Sequence, residues 1–252
     1  DFCLSRGLGD VYKRQVYEKT SVVEAAKLFM NIYRDVNIAL VNEFALTCER
    51  LGIDVVEAIN AANIDPKTHL LTPGLVGGYC LPKDTYHLAN PSEKAGYSPR
   101  LITLARRLND TMPSHVIELV DEAFREMKTS FKGVKIAVLG LGFKANSGDL
   151  RNTPAKPIIT DLLKRGAIVI AQDPFVKFDE VKKILPGLAC TRRVEEAVRG
   201  ASCTVIVTDH LEYRGLSVSS LKKFMSTPCA IVDARHIIDQ NEAIAAGVVF
   251  RG

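Results

Sequence analysis

The residues best suited to catalysis lie between Gly77 and Asp84, in the segment GGYCLPKD. Two glycines allow the backbone to approach a bound molecule closely, and a cysteine follows almost at once. A short helix is predicted at residues 84–88, and its unpaired N–H groups would favour the thiolate form of Cys80. Lys83 adds a positive charge, and Asp84 adds a carboxylate. The segment therefore predicts a cysteine nucleophile. The alternative is that one of six cysteines lies in a glycine-rich turn by chance.

Lys27 and Asn31 form a second pair of chemically useful side chains. They are four residues apart within a pattern of helical spacing, so both project from one face of the predicted helix. A cation and an amide on one face can stabilise a developing oxyanion. The alternative is a solvated pair on the polar face of the helix.

A third group of candidate residues follows the apolar run at residues 134–139, where Gly140 to Lys144 have the sequence GLGFK. Lys144 and Arg151 flank this loop and could pair with a diphosphate, although two solvated cations are the alternative. The G-x-G is half of a dinucleotide-binding fingerprint because position 145 is alanine, so it does not by itself predict NAD binding. The histidines after the later strands have no spacing typical of a metal site.

The elements that must position these residues change character once along the chain. Apolar residues recur at helical spacing over residues 21–51, which predicts one helix about 45 Å long that ends at Gly52. A helix of that length suits a bridge between two domains or a dimer interface. Further helices fill the chain to about Ser130, and Pro113 is expected to interrupt or kink one of them.

From Gly133 onward, strands and helices alternate. Strands are predicted at residues 134–140, 167–171, 203–208, 229–233 and 248–250, with helices between them, the first at 154–165. This alternation predicts βαβ units and a doubly wound parallel sheet. Ligands of such sheets bind at the carboxyl ends of the strands, here near Gly140, Asp173, Thr208 and Asp233. The predicted fold class is α/β, an all-helical domain followed by this sheet.

Composition indicates an ordinary globular protein with room for two domains, with 252 residues, 47% of them hydrophobic and 25% charged. The net charge of +4 is mild and the cations are scattered, which suits a phosphate-bearing small molecule better than a nucleic acid. Without a long apolar run or a signal-peptide pattern, the chain is predicted to be cytoplasmic and not to contact membranes. Six cysteines without paired spacing predict a reduced compartment, no disulfides and no zinc site.

Taken together, these motifs resemble those of the nucleotide-sugar 6-dehydrogenases, the UDP-glucose/GDP-mannose dehydrogenase family. The matching residues, in family order, are Ala25, Lys27 and Asn31, then Asn42-Glu43, GGYCLPKD, Arg106 through Asn109, Met112-Pro113, LGLGFK ending at Lys144, Asp149 and Arg151, Asp173-Pro174, and Asp233 and Arg235. The resemblance runs from about Val16 to the end. It implies a central helical domain at residues 16–130, which carries the catalytic cysteine, and a Rossmann-like UDP-binding domain at 131–252. Residues 1–15 resemble a translated adaptor sequence and are predicted to be a non-native leader.

The resemblance implies that the full-length enzyme oxidises the C6 hydroxyl of a UDP-sugar to a carboxylate while two NAD are reduced, in nucleotide-sugar metabolism for polysaccharide biosynthesis. Cys80 would attack the intermediate aldehyde and form a thioester, and Asp84 would orient or deprotonate the hydrolytic water. Lys27 and Asn31 would stabilise the alkoxide-like oxygen. The implied substrate-binding residues are Gly77, Lys83, Lys144, Arg151 and Arg235. A homodimer is implied through the helix at residues 21–51.

Two features depart from the family. No G-x-G-x-x-G motif is found, so the family's N-terminal NAD domain is expected to be missing and the chain alone to be inactive. Residues 73–78 are one residue shorter than the family's loop, which alters the turn before Cys80. The stretch from Asn109 to Pro113 favours UDP-N-acetylmannosamine or UDP-N-acetylglucosamine over UDP-glucose as substrate.

Two other interpretations stay open: a UDP-sugar-binding and dimerising module without activity, and a free-standing oxidoreductase that binds NAD at residues 140–144.

Overall fold

The computed structural model describes residues 17–252, so the leader predicted at residues 1–15 lies outside the described residues. The described chain begins with four helices, α1 (Thr20–Leu51), α2 (Val55–Ala62), α3 (Cys80–Lys94) and α4 (Arg100–Glu126). α1 is the predicted long helix. It ends where Gly52 adopts a φ of 68°, and the Ile53 N–H then donates to the Cys48 carbonyl at 3.0 Å. Within residues 17–252, no helix is both long and apolar enough to cross a membrane.

The start of α3 differs from the prediction, because the helix begins at Cys80 and not near Asp84. Pro82 lies in the first turn, where a helix needs no N–H donor, so it does not delay the start. The Lys83 N–H already donates to the Tyr79 carbonyl at 3.1 Å. Cys80 is therefore the first residue of the helix and does not precede it.

α4 runs without a break through Pro113, so the predicted interruption is wrong. The proline removes one helical hydrogen bond, but Met112 and Val116 beside it are buried, and their packing keeps the helix continuous. Farther along α4, Val120 and Phe124 lie in the same apolar core as the first strand of the sheet. α4 therefore joins the helical region to the sheet region.

The sheet region contains six parallel strands and their connecting helices. In chain order these are β1 (Lys135–Leu139), α5 (Ala155–Lys164), β2 (Ile168–Gln172), α6 (Phe178–Ile184), β3 (Ala189–Thr191), α7 (Val194–Val198), β4 (Cys203–Ile206), α8 (Val218–Lys222), β5 (Ala230–Asp233), α9 (Gln240–Ala245) and β6 (Val249–Arg251). The strand order is β3-β2-β1-β4-β5-β6, so the direction of winding reverses between β1 and β4. The predicted α/β fold class is confirmed. β3 is not among the predicted strands, because an edge strand of three residues is too short to show a periodicity.

A buried polar network joins α1, α4 and the loop before α3. The Arg106 guanidinium pairs with Asp35 at 2.5 Å, and both side chains are fully buried. Asn109 donates to the carboxylate of Asp35 at 2.9 Å and to its backbone carbonyl at 2.8 Å. Asn42 donates to Asn109 at 2.9 Å and binds both backbone groups of Gly74, whose N–H lies 2.7 Å from Oδ1. These contacts fix the position at which the loop crosses α1.

Replacing Asp35 tests how much of the fold depends on this network. Asp35→Ala leaves the Arg106 charge buried without its main partner, so we expect the free energy of unfolding to fall by about 3–5 kcal/mol. Asp110→Ala is the matched control, because Asp110 is an exposed carboxylate that pairs with the same guanidinium at 3.1 Å. Its removal should cost about 0–1 kcal/mol. Urea unfolding followed by circular dichroism measures both losses, and equal losses would contradict the proposed importance of the buried pair.

Candidate active site

α1 and α3 bring three of the predicted catalytic side chains into direct contact. Nζ of Lys27 and Nδ2 of Asn31 each lie 2.6 Å from Oδ2 of Asp84. A spacing of four residues places Lys27 and Asn31 on one face of α1, and it places Cys80 and Asp84 on one face of α3. Cys80 is therefore one helical turn from the carboxylate that the two donors share.

Lys27 and Asp84 form an ion pair at neutral pH. Burial by itself would raise the pKa of Asp84, but hydrogen bonds from Lys27 and Asn31 outweigh burial and hold the pKa below its usual value. The hydrogen bond to Asp84 raises the pKa of Lys27 against a smaller effect of burial, and the nearby Cys80 adds to the increase. The Lys27 side chain is 57% exposed and that of Asp84 only 7%. The site thus presents a fixed ammonium group beside Cys80.

Cys80 differs from the other cysteines in its exposure. Burial raises the pKa of the Cys203 and Cys229 thiols, which lie in the core, and Cys48 and Cys190 are half-buried. Among residues 17–252, Cys80 is the one cysteine that is exposed. It lies at the N-terminus of α3, where the helix dipole favours a negative charge.

Lys83 and Arg151, two of the predicted substrate-binding cations, both contact the ring of Tyr79. Nζ of Lys83 lies 4.5 Å from the ring centroid and the guanidinium carbon of Arg151 lies 5.5 Å from it. Arg151 also makes a two-pronged salt bridge to Asp149, with Nη2 2.5 Å from Oδ2. This contact raises the pKa of Arg151, and Cys80 makes a smaller contribution. The two cations therefore lie at the rim of the cysteine site, and Arg151 is already paired with a carboxylate.

The glycines before Tyr79 are approached closely by another part of the chain. A Cβ atom at Gly77 would lie 2.5 Å from Cβ of Phe143 and 2.9 Å from the carbonyl oxygen of Asn152. Gly78 has a φ of 77°, and a Cβ atom there would lie 2.8 Å from the Phe143 ring. The loop after β1 therefore occupies the space at Gly77, where the resemblance implies a close approach of the substrate.

The other predicted binding residues, Lys144 and Arg235, follow β1 and β5. Lys144 is exposed in the loop after β1. Arg235 pairs with Asp209 at 2.9 Å and donates to the Leu75 carbonyl at 3.4 Å. Its guanidinium fills the space over Gly74, where a Cβ atom would lie 2.4 Å from Nη1. Arg235 therefore supports the loop before α3 from the sheet region.

A buried aspartate and histidine, whose role the sequence patterns did not reveal, anchor the loop after β1. Oδ2 of Asp173 accepts the N–H groups of Leu141 and Gly142 at 2.7 and 3.0 Å and lies 3.2 Å from Nε2 of His210. Nδ1 of His210 accepts the N–H of Asn146 at 2.9 Å, so Nε2 carries the ring proton and donates to Asp173. Burial would raise the pKa of Asp173, but these hydrogen bonds lower it overall.

This anchoring does not fit NAD binding at residues 140–144. A dinucleotide needs free backbone N–H groups at a helix that directly follows the strand. Here the N–H groups of Leu141 and Gly142 bind Asp173, and the next helix, α5, begins only at Ala155. In the part of the chain that the structure describes, no group of three or more His, Cys, Asp and Glu side chains is placed to hold a metal ion.

The buried polar residues have signals in the sequence that could have identified them. Asp35 and Asn42 continue the buried face of α1 formed by Ile32 and Ala39. A polar residue at an apolar helical position indicates a buried partner. Likewise, residues 173 and 210 follow parallel strands and must lie at the same edge of the sheet.

Comparison with known proteins places this site in a family. The central-domain model of the UDP-glucose/GDP-mannose dehydrogenase family matches residues 21–111, and the model of that family's UDP binding domain matches residues 137–240. The chain belongs to this family. The first match contains Lys27, Asn31, Cys80 and Asp84.

Individual family members resemble the chain over most of its length. It is 38% identical over 234 residues to UDP-N-acetyl-D-mannosamine dehydrogenase of Pyrococcus horikoshii, covering 92% of this chain and 51% of that protein. It is 30% identical over 225 residues to UDP-N-acetyl-D-glucosamine 6-dehydrogenase of Pseudomonas aeruginosa, covering 88% and 52%. The solved structure of NDP-N-acetyl-D-galactosaminuronic acid dehydrogenase from Methanosarcina mazei matches with a TM-score of 0.83 and 34% identity, covering 92% and 50%. The chain spans about half the length of the curated relatives it matches.

The Lys27–Asp84 pair predicts a defined pH dependence of stability. Because the pKa of Asp84 is lowered on folding, its carboxylate stabilises the fold above the unfolded pKa of about 3.9, and this contribution is lost at lower pH. Lys27, with a raised pKa, contributes below about pH 10 and loses its contribution as the pH rises further. We expect Asp84→Asn to be less stable than the parent between about pH 5 and pH 9 and to approach it near about pH 3. Thermal unfolding across this range measures the difference. A difference that does not vary with pH would contradict the ion pair.

Proposed function

We propose that this chain forms the substrate-binding and thioester-forming part of a nucleotide-sugar 6-dehydrogenase. The observation that carries the proposal is the exposed Cys80, one helical turn from a carboxylate that holds Lys27 and Asn31. The names of the two relatives described above support a UDP-N-acetylhexosamine as substrate, in preference to UDP-glucose. The C6 hydroxyl of that sugar would be oxidised to a carboxylate.

The proposed chemistry of Cys80 begins with the aldehyde produced by the first oxidation. The Cys80 thiolate attacks C6, an S–C bond forms, and the electron pair of the carbonyl bond moves to oxygen. Lys27 and Asn31 supply an ammonium and an amide to stabilise that oxygen. Removal of a hydride from C6 gives a thioester. Water then adds at C6, the C–S bond breaks, and the products are the uronate and the free thiol.

Asp84 is proposed to orient the hydrolytic water. The lowered pKa imposed by Lys27 and Asn31 makes its carboxylate a weak base at neutral pH. Such a carboxylate can accept a hydrogen bond from water and direct the water oxygen towards the thioester carbon. Of the two roles implied by the family resemblance, orientation is therefore favoured over deprotonation.

NAD is the hydride acceptor proposed for both oxidations. The loop at residues 140–144 does not fit it, since the N–H groups there are occupied by Asp173. The chain matches only about half of each relative, which supports assigning NAD to the half that it does not match. The chain by itself is accordingly proposed to lack dehydrogenase turnover.

A homodimer through α1 is also proposed. Large apolar side chains remain exposed along this helix, and such a surface on a single chain favours association. They include Phe29, Met30, Tyr33, Leu40 and Phe44.

Lys144 is proposed to bind the diphosphate, because it is exposed next to the point where the winding of the sheet reverses. We expect Lys144→Ala to weaken UDP binding by about tenfold or more, as loss of a charge-assisted hydrogen bond would. Lys164→Ala, which removes an exposed cation from the opposite, C-terminal end of α5, is the matched control and should bind like the parent. Isothermal titration calorimetry gives the three dissociation constants. Equal affinities for all three chains would remove Lys144 from the site.

The role of Cys80 is testable without NAD, using a UDP-N-acetylhexosamine whose C6 is already an aldehyde. We expect this compound to protect Cys80 from alkylation by iodoacetamide, because the sulfur of a thiohemiacetal is bonded to C6 and is no longer a nucleophilic thiolate. UDP together with a separate simple aldehyde is the control and should protect far less. Mass spectrometry of the peptide containing Cys80 measures the alkylation rate. Equal protection by both would favour a binding module without catalytic activity.

A further inference from the structure

Gly78, two residues before Cys80, is bound at both backbone polar groups by consecutive residues of the sheet region. Its N–H donates to the Arg151 carbonyl at 3.0 Å, and its own carbonyl accepts from Nδ2 of Asn152 at 3.2 Å. The ring of Phe143 closes the space where a side chain would stand. A residue of the nucleophile turn is thus fixed by residues about 70 positions later in the chain.

Asn152 is suited to this contact by its backbone conformation. Its φ is 45°, in the left-handed region that asparagine tolerates better than most residues with a side chain. In this conformation the amide donates to the Gly78 carbonyl. Glycine at position 152 would keep the backbone conformation and remove only the amide.

The position of the turn determines where α3 begins. Tyr79 precedes the first residue of the helix, and Cys80 is that first residue. Cys80 lies one helical turn from Asp84, which binds Lys27 Nζ at 2.6 Å, and it directly follows Tyr79, whose ring centroid lies 5.5 Å from the guanidinium carbon of Arg151. A shift of the turn would therefore move the sulfur relative to both cations.

We propose that Asn152 is a positioning residue for Cys80, which it keeps among three cations, Lys27, Lys83 and Arg151, that exceed the two carboxylates Asp84 and Asp149, by holding Gly78. The functional meaning of this contact rests on the proposed role of Cys80 as a nucleophile. The contact itself concerns only where the thiol lies, so it can be tested without a sugar nucleotide or NAD.

The experiment compares two alkylating reagents of similar size on the whole chain, neutral iodoacetamide and anionic iodoacetate. A positive field around Cys80 favours the anionic reagent, whereas a change in exposure alone alters both rates alike. We expect Asn152→Gly to lower the ratio of the iodoacetate rate to the iodoacetamide rate by about threefold, as the field of a nearby charge in water would. Rates are read from the peptide containing Cys80, and circular dichroism verifies that each variant is folded.

Asn146→Gly is the matched control. Asn146 also has a positive φ, 56°, but its Oδ1 accepts the N–H of Leu211 and does not contact the turn before Cys80. We expect this variant to keep the parent ratio. An unchanged ratio in Asn152→Gly, or an equal fall in Asn146→Gly, would overturn the proposal. Failure of the aldehyde to protect Cys80 would instead remove the nucleophile role and leave this ratio unaffected.

Discussion

The buried ion pair between Arg106 and Asp35 is the constraint on which the arrangement of the helices depends. Removing two charges from water is unfavourable unless their remaining polar atoms find partners. Burial raises the pKa of Asp35, while the charge of Arg106 and the amide of Asn109 oppose that increase. The contacts of Asp35 with Arg106 and Asn109 set α1 against α4, although the buried Nε of Arg106 has no hydrogen-bond partner. Through Asn42, they also set the loop that continues to α3. In that arrangement the faces carrying Lys27 and Cys80 meet at Asp84.

The candidate active site is assembled from both regions of the chain. α1 and α3 provide the reactive side chains, and the sheet region supports them at two points. Arg235 holds the loop at Gly74 and Leu75, and the segment from Phe143 to Asn152 holds the two glycines before Cys80. The loop that carries Lys144, the proposed diphosphate ligand, is thus continuous with the segment that fixes the nucleophile. Substrate binding and nucleophile geometry are consequently expected to depend on each other.

Much of the fold was accessible from the sequence because it rests on local periodicity. The helical spacing at residues 21–51 and the apolar runs of β1, β4 and β5 each specify an element without reference to the rest of the chain. The start of α3 was less accessible, since Pro82 is equally compatible with a helix that begins at it or two residues before it. The continuity of α4 through Pro113 depends on packing against the sheet, which no local pattern contains.

The candidate site likewise combines features that local sequence patterns predict with contacts that depend on the tertiary structure. The spacing of Lys27, Asn31, Cys80 and Asp84 predicts which residues share a helical face, but only the tertiary structure shows that the two faces meet at Asp84. Contacts such as those of Asn152 with Gly78 and His210 with Asp173 join distant positions, and their residue types alone do not indicate them.

Cys80 should lie where C6 of the bound sugar arrives, and a crystal structure of the chain with UDP-N-acetyl-D-mannosamine tests this most directly. We expect the diphosphate to contact Lys144 and C6 to lie about 3–3.5 Å from Sγ of Cys80, the distance needed for attack. A sugar bound with C6 directed away from Cys80, or a diphosphate bound far from the carboxyl ends of β1 and β4, would contradict the proposed site.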